Sequence, residues 1–139
     1  MGDRCAAYVT CRKVDVPKFR EEGFDEDCDE GDGLVRLCSE QANYGGVEVL
    51  TALAKQGVVF FGHHEAGGSY GPCVFASDGR RYVEAMSSKI DGDAVARVLP
   101  RGRVNTGDVR EAVRYFKVLT RARRLLTRHG KANSGGPVQ

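Results

Sequence analysis

The chain opens on an alternation. In "CAAYVTCRKV", Cys5, Ala7, Val9 and Cys11 fall on one side and Ala6, Tyr8, Thr10 and Arg12 on the other, the period of two that marks a strand. "DVPKFREEGF" then reads as a short helix. Asp15 is placed to cap it, Pro17 suits a first turn, and Gly23 suits the left-handed residue after the last turn, from which Phe24 can reach back to Phe19. "LVRLCSE" predicts a second strand, and "YGGVEVLTALAKQG" a helix with Val47, Leu50, Leu53 and Ala54 on one face and Gly57 at its close. "VVFF", apolar without interruption, suits a central strand covered on both faces.

The pattern then breaks. "GHHEAGGSYGP" carries four glycines in eleven residues and reads as a loop. In "CVFASDGRRYVEAM" two β-rich runs flank Asp78-Gly79, a pair suited to a type I′ hairpin turn. A second turn at "KIDGD" leads into "AVARVL", taken as another antiparallel strand, although Ala94, Val95, Val98 and Leu99 also fit one face of a short helix. After "PRGRVNTGD", Asp108 and Glu111 have the spacing of a capping box at the start of a last helix, which Gly130 ends. The expected order is β-α-β-α-β-β-β-β-α. It describes an α+β fold with a mainly antiparallel sheet of about five to six strands, two shorter helices and a long C-terminal amphipathic helix. Residues 1–130 form one domain in this reading, and 131–139 a flexible tail.

The last helix has the sharpest pattern. Arg110, Arg114, Lys117, Arg121, Arg124 and Arg128 follow spacings of 4, 3, 4, 3 and 4. At 100° per residue this confines them to an arc of about 80° and a row about 27 Å long. Val109, Ala112, Phe116, Leu119, Ala122 and Leu126 occupy the other side and are expected to lie on the sheet, with Arg123 the one cation in their arc.

Composition adds the electrostatics. The 139 residues are 41% hydrophobic and 29% charged, with a net charge of only +2. The distribution is uneven: residues 108–131 hold eight Lys or Arg against two acids, and residues 21–32 hold eight acids and no base. A solvated helix face normally mixes signs, because like charges at i,i+4 repel by a few tenths of a kcal/mol. The row therefore calls for compensation from the acidic segment at 25–32, from a second copy, or from a foreign polyanion. No apolar run approaches the ~20 residues of a membrane span, and no secretory leader is evident, so a cytoplasmic location and no membrane partner are expected.

Candidate chemistry is concentrated in "GHHEAGGSYGPC", with His63, His64, Glu65, Ser69, Tyr70 and Cys73. A zinc-deaminase pattern fails because its second cysteine would have to stand at 76, which is Ala. An EF-hand at "DEDCDEGDG" fails because Glu30 stands where Gly is needed and Arg36 where the bidentate Glu should be, so the segment is expected to be a solvated acidic loop. Five cysteines, at 5, 11, 28, 38 and 73, include no C-x-x-C pair, which speaks against a disulfide framework and a zinc ribbon, so free thiols and no metal or cofactor are expected. "AGGSYG" lacks the Lys and the following helix of a phosphate loop. No helix-turn-helix, zinc finger, RNP motif or GXXG loop supports base-specific reading of nucleic acid.

The sequence thus favours a small non-catalytic regulatory or inhibitor-type protein. It would dock on a protein or nucleoprotein complex, a nucleic-acid backbone or an acidic protein surface through Arg110, Arg114, Lys117, Arg121, Arg124 and Arg128, assisted by His63, His64 and Tyr70. In size it matches phage or mobile-element proteins that block host machinery. The competing expectation is a small enzyme centred on His63, His64, Glu65, Tyr70 and Cys73.

Overall fold

The structure, a computed structural model, describes residues 4–88 and 93–134, with side chains through 127. The elements are β1 (Arg4–Arg12), α1 (Val16–Arg20), β2 (Asp25–Gly31), β3 (Leu34–Asn43), α2 (Val47–Lys55), β4 (Val59–His64), β5 (Cys73–Asp78), β6 (Tyr82–Met86) and α3 (Thr106–Ser134). All six strands join one antiparallel sheet in the order β2-β3-β1-β4-β5-β6. The fold is α+β.

The period-two pattern of β1 divides the layers. Cys5, Ala7, Val9 and Cys11 are buried on the face covered by α1 and α2, where Ala7, Val9 and Cys11 join a core with Phe19, Phe24, Leu50, Leu53 and Ala54. Phe60 is the hub of this layer, edge-on to Phe19 at 5.6 Å and to Phe75 at 6.1 Å. Each such ring contributes roughly 1.5–3 kcal/mol by leaving water. On the opposite face α3 packs across β4, β5 and β6, placing Tyr115, Val118 and Leu119 on Val74, Ala76, Val83 and Ala85. Toward β1 and β3 the cover by α3 thins to Leu34 packed near Ala122 and Leu126, and Tyr8, Thr10, Arg36 and Cys38 remain half-exposed.

Both short helices end as their glycines suggest. Gly23 takes φ +94°, the Phe24 N–H donates to the Phe19 carbonyl at 3.1 Å, and the two rings meet edge to face. Asp15, however, makes no capping hydrogen bond. It is buried between Arg12 and Lys18, 3.0 and 3.3 Å away.

Several other expectations are overturned. The acidic segment is the edge strand β2, paired with β3 and balanced by Lys13–Asp29 at 3.2 Å, Arg20–Glu26 at 2.8 Å and Arg36–Asp27 at 3.3 Å. Backbone pairing outweighed poor strand propensity there, and a charged edge resists pairing with other chains. "AVARVL" is not a strand: its described part has only the isolated bridges Ser87↔Ala94 and Val98↔Val104, and the expected turn at 89–92 lies outside the described residues. The β5–β6 hairpin is present, with Ser77↔Tyr82 its last paired residues, and of Asp78 and Gly79 only Gly79 has positive φ. The turn is not type I′. Instead the Asp78 carboxylate accepts the N–H groups of Arg80 and Arg81 at 3.0 and 2.9 Å.

The start and end of α3 also differ from expectation. Asn105 is the capping residue, its Oδ1 accepting the Asp108 N–H at 3.1 Å, so Asp108 is the third residue of the first turn and not the cap. Helix α3 runs past Gly130 to Ser134, which moves the start of the expected tail, and 135–139 lie outside the described residues.

Candidate functional site

Helix α3 carries the cationic row on its outward side. Arg110, Arg114, Lys117, Arg121 and Arg124 are exposed, while the side chain of Arg128 lies outside the described residues. Arg121 is the exception to the expected lack of compensation, because its Nε donates to Asp78 Oδ2 at 2.8 Å. Arg110, Arg114, Lys117 and Arg124 make no ion pair among the described residues. Three of the five acids of the edge strand β2 pair with Lys13, Arg20 and Arg36, and a fourth, Glu30, lines a groove shared with Arg123 of α3, not with the cationic row.

The apolar side of α3 is rolled from its expected position by about 50° at 100° per residue. Tyr115 and Val118 are buried, whereas Val109 and Phe116, expected on the sheet, are 41% and 47% exposed, and Val113 is 47% exposed. Tyr115 fills the space over β5 and β6, and Asp108 at the first turn is held by Arg97. Phe116 is thereby turned out. Val109, Val113, Phe116 and Thr120 form an exposed stripe beside the cations, with a shallow groove along Val113, Phe116, Lys117, Thr120 and Arg121.

The two histidines do not share a loop. Both lie on β4, and consecutive strand residues point to opposite faces. His63 is on the α3 face, stacked on Tyr8 at 5.0 Å in a groove with Arg36, Tyr115 and Arg123. Arg36 lies 4.7 Å above Tyr8, and Arg123 5.2 Å above Phe61. Burial holds the His63 pKa below its ordinary value, and Arg36 acts in the same direction. His64 is on the other face, only 4% exposed, and Tyr70 contacts it there edge to face at 5.5 Å. The three residues expected to assist α3 are therefore divided between two faces. Only His63 is on the side of the helix.

His64 is the centre of a second cluster. Its register partner on β5 is Cys73, and Glu84 comes in from β6, opposite Phe75. One donor atom from each of His64, Cys73 and Glu84 lies within 4.8 Å of the others. The imidazole Nδ1 lies 2.9 Å from the Glu65 carbonyl and donates a hydrogen bond to it. Tyr82 donates to Glu84 at 2.5 Å, and burial raises the Tyr82 pKa well above normal, keeping that proton in place. Cys5 Sγ is 4.0 Å from Nδ1 and accepts the Tyr70 hydroxyl at 3.2 Å. Burial, with Glu84 and Glu111, pushes the Cys73 thiol up to about 11. A thiol so placed stays protonated near neutral pH, so His64 and Cys73 are not poised as a nucleophile pair.

Gly45, in the short turn before α2, packs directly on this histidine. A Cβ there would stand 2.3 Å from Cδ2, 2.5 Å from Cγ and 2.7 Å from Nε2, over the face of the ring. Sequence reading found His64, Tyr70 and Cys73 but missed Cys5, Gly45 and Glu84. The alternation in "YVEAM", which puts Glu84 with Tyr82 and Met86, was the available signal. Compared with protein-family models, curated proteins and solved structures, the chain finds no match.

Proposed function

We propose that the protein is a non-catalytic regulatory or inhibitor-type module that docks through α3 on an acidic protein surface bearing an apolar strip. One observation carries this reading: Arg110, Arg114, Lys117 and Arg124 stand exposed without ion pairs among the described residues, directly beside exposed Val109, Val113 and Phe116. Cations alone would suit a phosphate backbone, whose recognition has no use for an aliphatic and aromatic stripe. A protein groove uses both, with the apolar strip supplying affinity and the charges steering encounter.

Co-purification from lysate with nuclease present tests the reading, using Lys117→Glu/Arg124→Glu and Phe116→Ser as comparison baits. A polypeptide retained by the natural protein and lost from both variants is the expected result. Capture that survives charge reversal, or that nuclease abolishes, overturns it, the latter in favour of nucleic acid.

A further inference from the structure

We propose that His64, Cys73 and Glu84 form a binding site for one zinc ion. It lies on the sheet face opposite the packing surface of α3 and does not depend on the docking function. Nitrogen, sulfur and carboxylate oxygen together are a donor set suited to Zn2+, and far less to the hard cations Ca2+ and Mg2+, which take oxygen ligands.

The placement is set by backbone pairing. His64, Cys73 and Glu84 stand on three adjacent strands, β4, β5 and β6, with His64 directly opposite Cys73. Their donor atoms lie within 4.8 Å of one another. A tetrahedral ion with bonds of 2.0–2.3 Å needs donors about 3.5 Å apart, so closure takes only about 1 Å of side-chain movement. The long side chain of Glu84 supplies it by rotation.

The surroundings orient the donors as metal sites require. Because Nδ1–H of His64 donates to the Glu65 carbonyl, Nε2 is the nitrogen that would take the metal, and Tyr82 holds Glu84 by a hydrogen bond. Gly45 packs on the face of the imidazole, where a Cβ would overlap the ring. Glu84 is half-buried, accepts the Tyr82 hydroxyl and makes no ion pair among the described residues, so its second carboxylate oxygen is available to a cation. Among the described residues the Cys73 thiol makes a single long hydrogen bond, 3.9 Å to the Gly71 carbonyl. Zinc would displace the thiol proton to solvent, bind the thiolate, and leave a fourth position for water.

The test uses the full chain, reduced and stripped of metal with a chelator, then titrated with Zn2+ against a chromophoric chelator and separately with Co2+ as a spectroscopic probe. One equivalent of Zn2+ and a thiolate-to-cobalt charge-transfer band are expected. The band should vanish in Cys73→Ser and persist in Cys28→Ser, whose exposed thiol is the adventitious candidate. Glu84→Gln, which keeps the partner of Tyr82, should fold normally by circular dichroism and weaken Zn2+ binding by about tenfold or more. Absence of stoichiometric zinc, a band lost in Cys28→Ser rather than Cys73→Ser, or undiminished affinity in folded Glu84→Gln overturns the site.

Discussion

Arg97 grips Asp108 with three donors. Its Nε and Nη2 reach the two carboxylate oxygens at 2.8 and 3.0 Å, and its backbone N–H reaches Oδ2 at 2.9 Å. The connection between β6 and α3 is thereby tied to the first turn of the helix, with Asn105 capping the same turn. This contact helps set which side of α3 faces the sheet.

Replacing Asp108 by Asn should lower the melting temperature at neutral pH and loosen residues 97–105, seen as faster amide exchange. The hydrogen bonds from Arg97 hold the Asp108 carboxyl below its usual pKa. A depressed folded value means its stabilisation is full above the unfolded pKa of about 3.9 and is lost as pH falls through the folded one. The difference in melting temperature between the natural protein and Asp108→Asn should therefore be constant near neutrality and close only below about pH 4.

The rotation of α3 makes opposite demands on neighbouring aromatics. Phe116→Ser should change unfolding free energy by no more than about 0.5 kcal/mol, because that ring stands in water. Tyr115→Ala, one residue away and buried on β5 and β6, should cost about 3 kcal/mol. Equal losses in urea denaturation would mean that the helix lies the other way.

Asp78 and Arg121 share an ion pair at 2.8 Å but do not contribute equally. Asp78 also closes the β5–β6 turn through two backbone N–H groups. Arg121→Ala should cost no more than about 0.5 kcal/mol, and Asp78→Ala about 1–2 kcal/mol, since it strands those donors and loosens the turn. A double-mutant cycle should give a coupling below about 1 kcal/mol.

Gly45→Ala should destabilise by about 2–4 kcal/mol. Gly45 has φ +69°, and the added carbon would overlap the His64 ring. Gly23→Ala has a positive φ but no atom within 4 Å of the new carbon, so it should cost only about 1 kcal/mol by the same denaturation measurement.

Local rules reached much of this molecule. The alternation of Cys5, Ala7, Val9 and Cys11, the unbroken "VVFF", the Gly23–Phe24 stop and the heptad-like cationic spacing all express contacts between near neighbours, whose periods do not depend on the rest of the chain. They determined an antiparallel α+β architecture and an outward basic row. Only the tertiary structure decided what strand pairing and packing decide: that an acidic segment becomes the edge strand β2, that "AVARVL" does not become a strand, and that Tyr115 rather than Phe116 faces the sheet. The candidate site divides the same way. Pleating sends His63 and His64 to opposite faces, while register across three strands brings His64, Cys73 and Glu84 together, and neither the register nor the sheet order is written in any local run of residues.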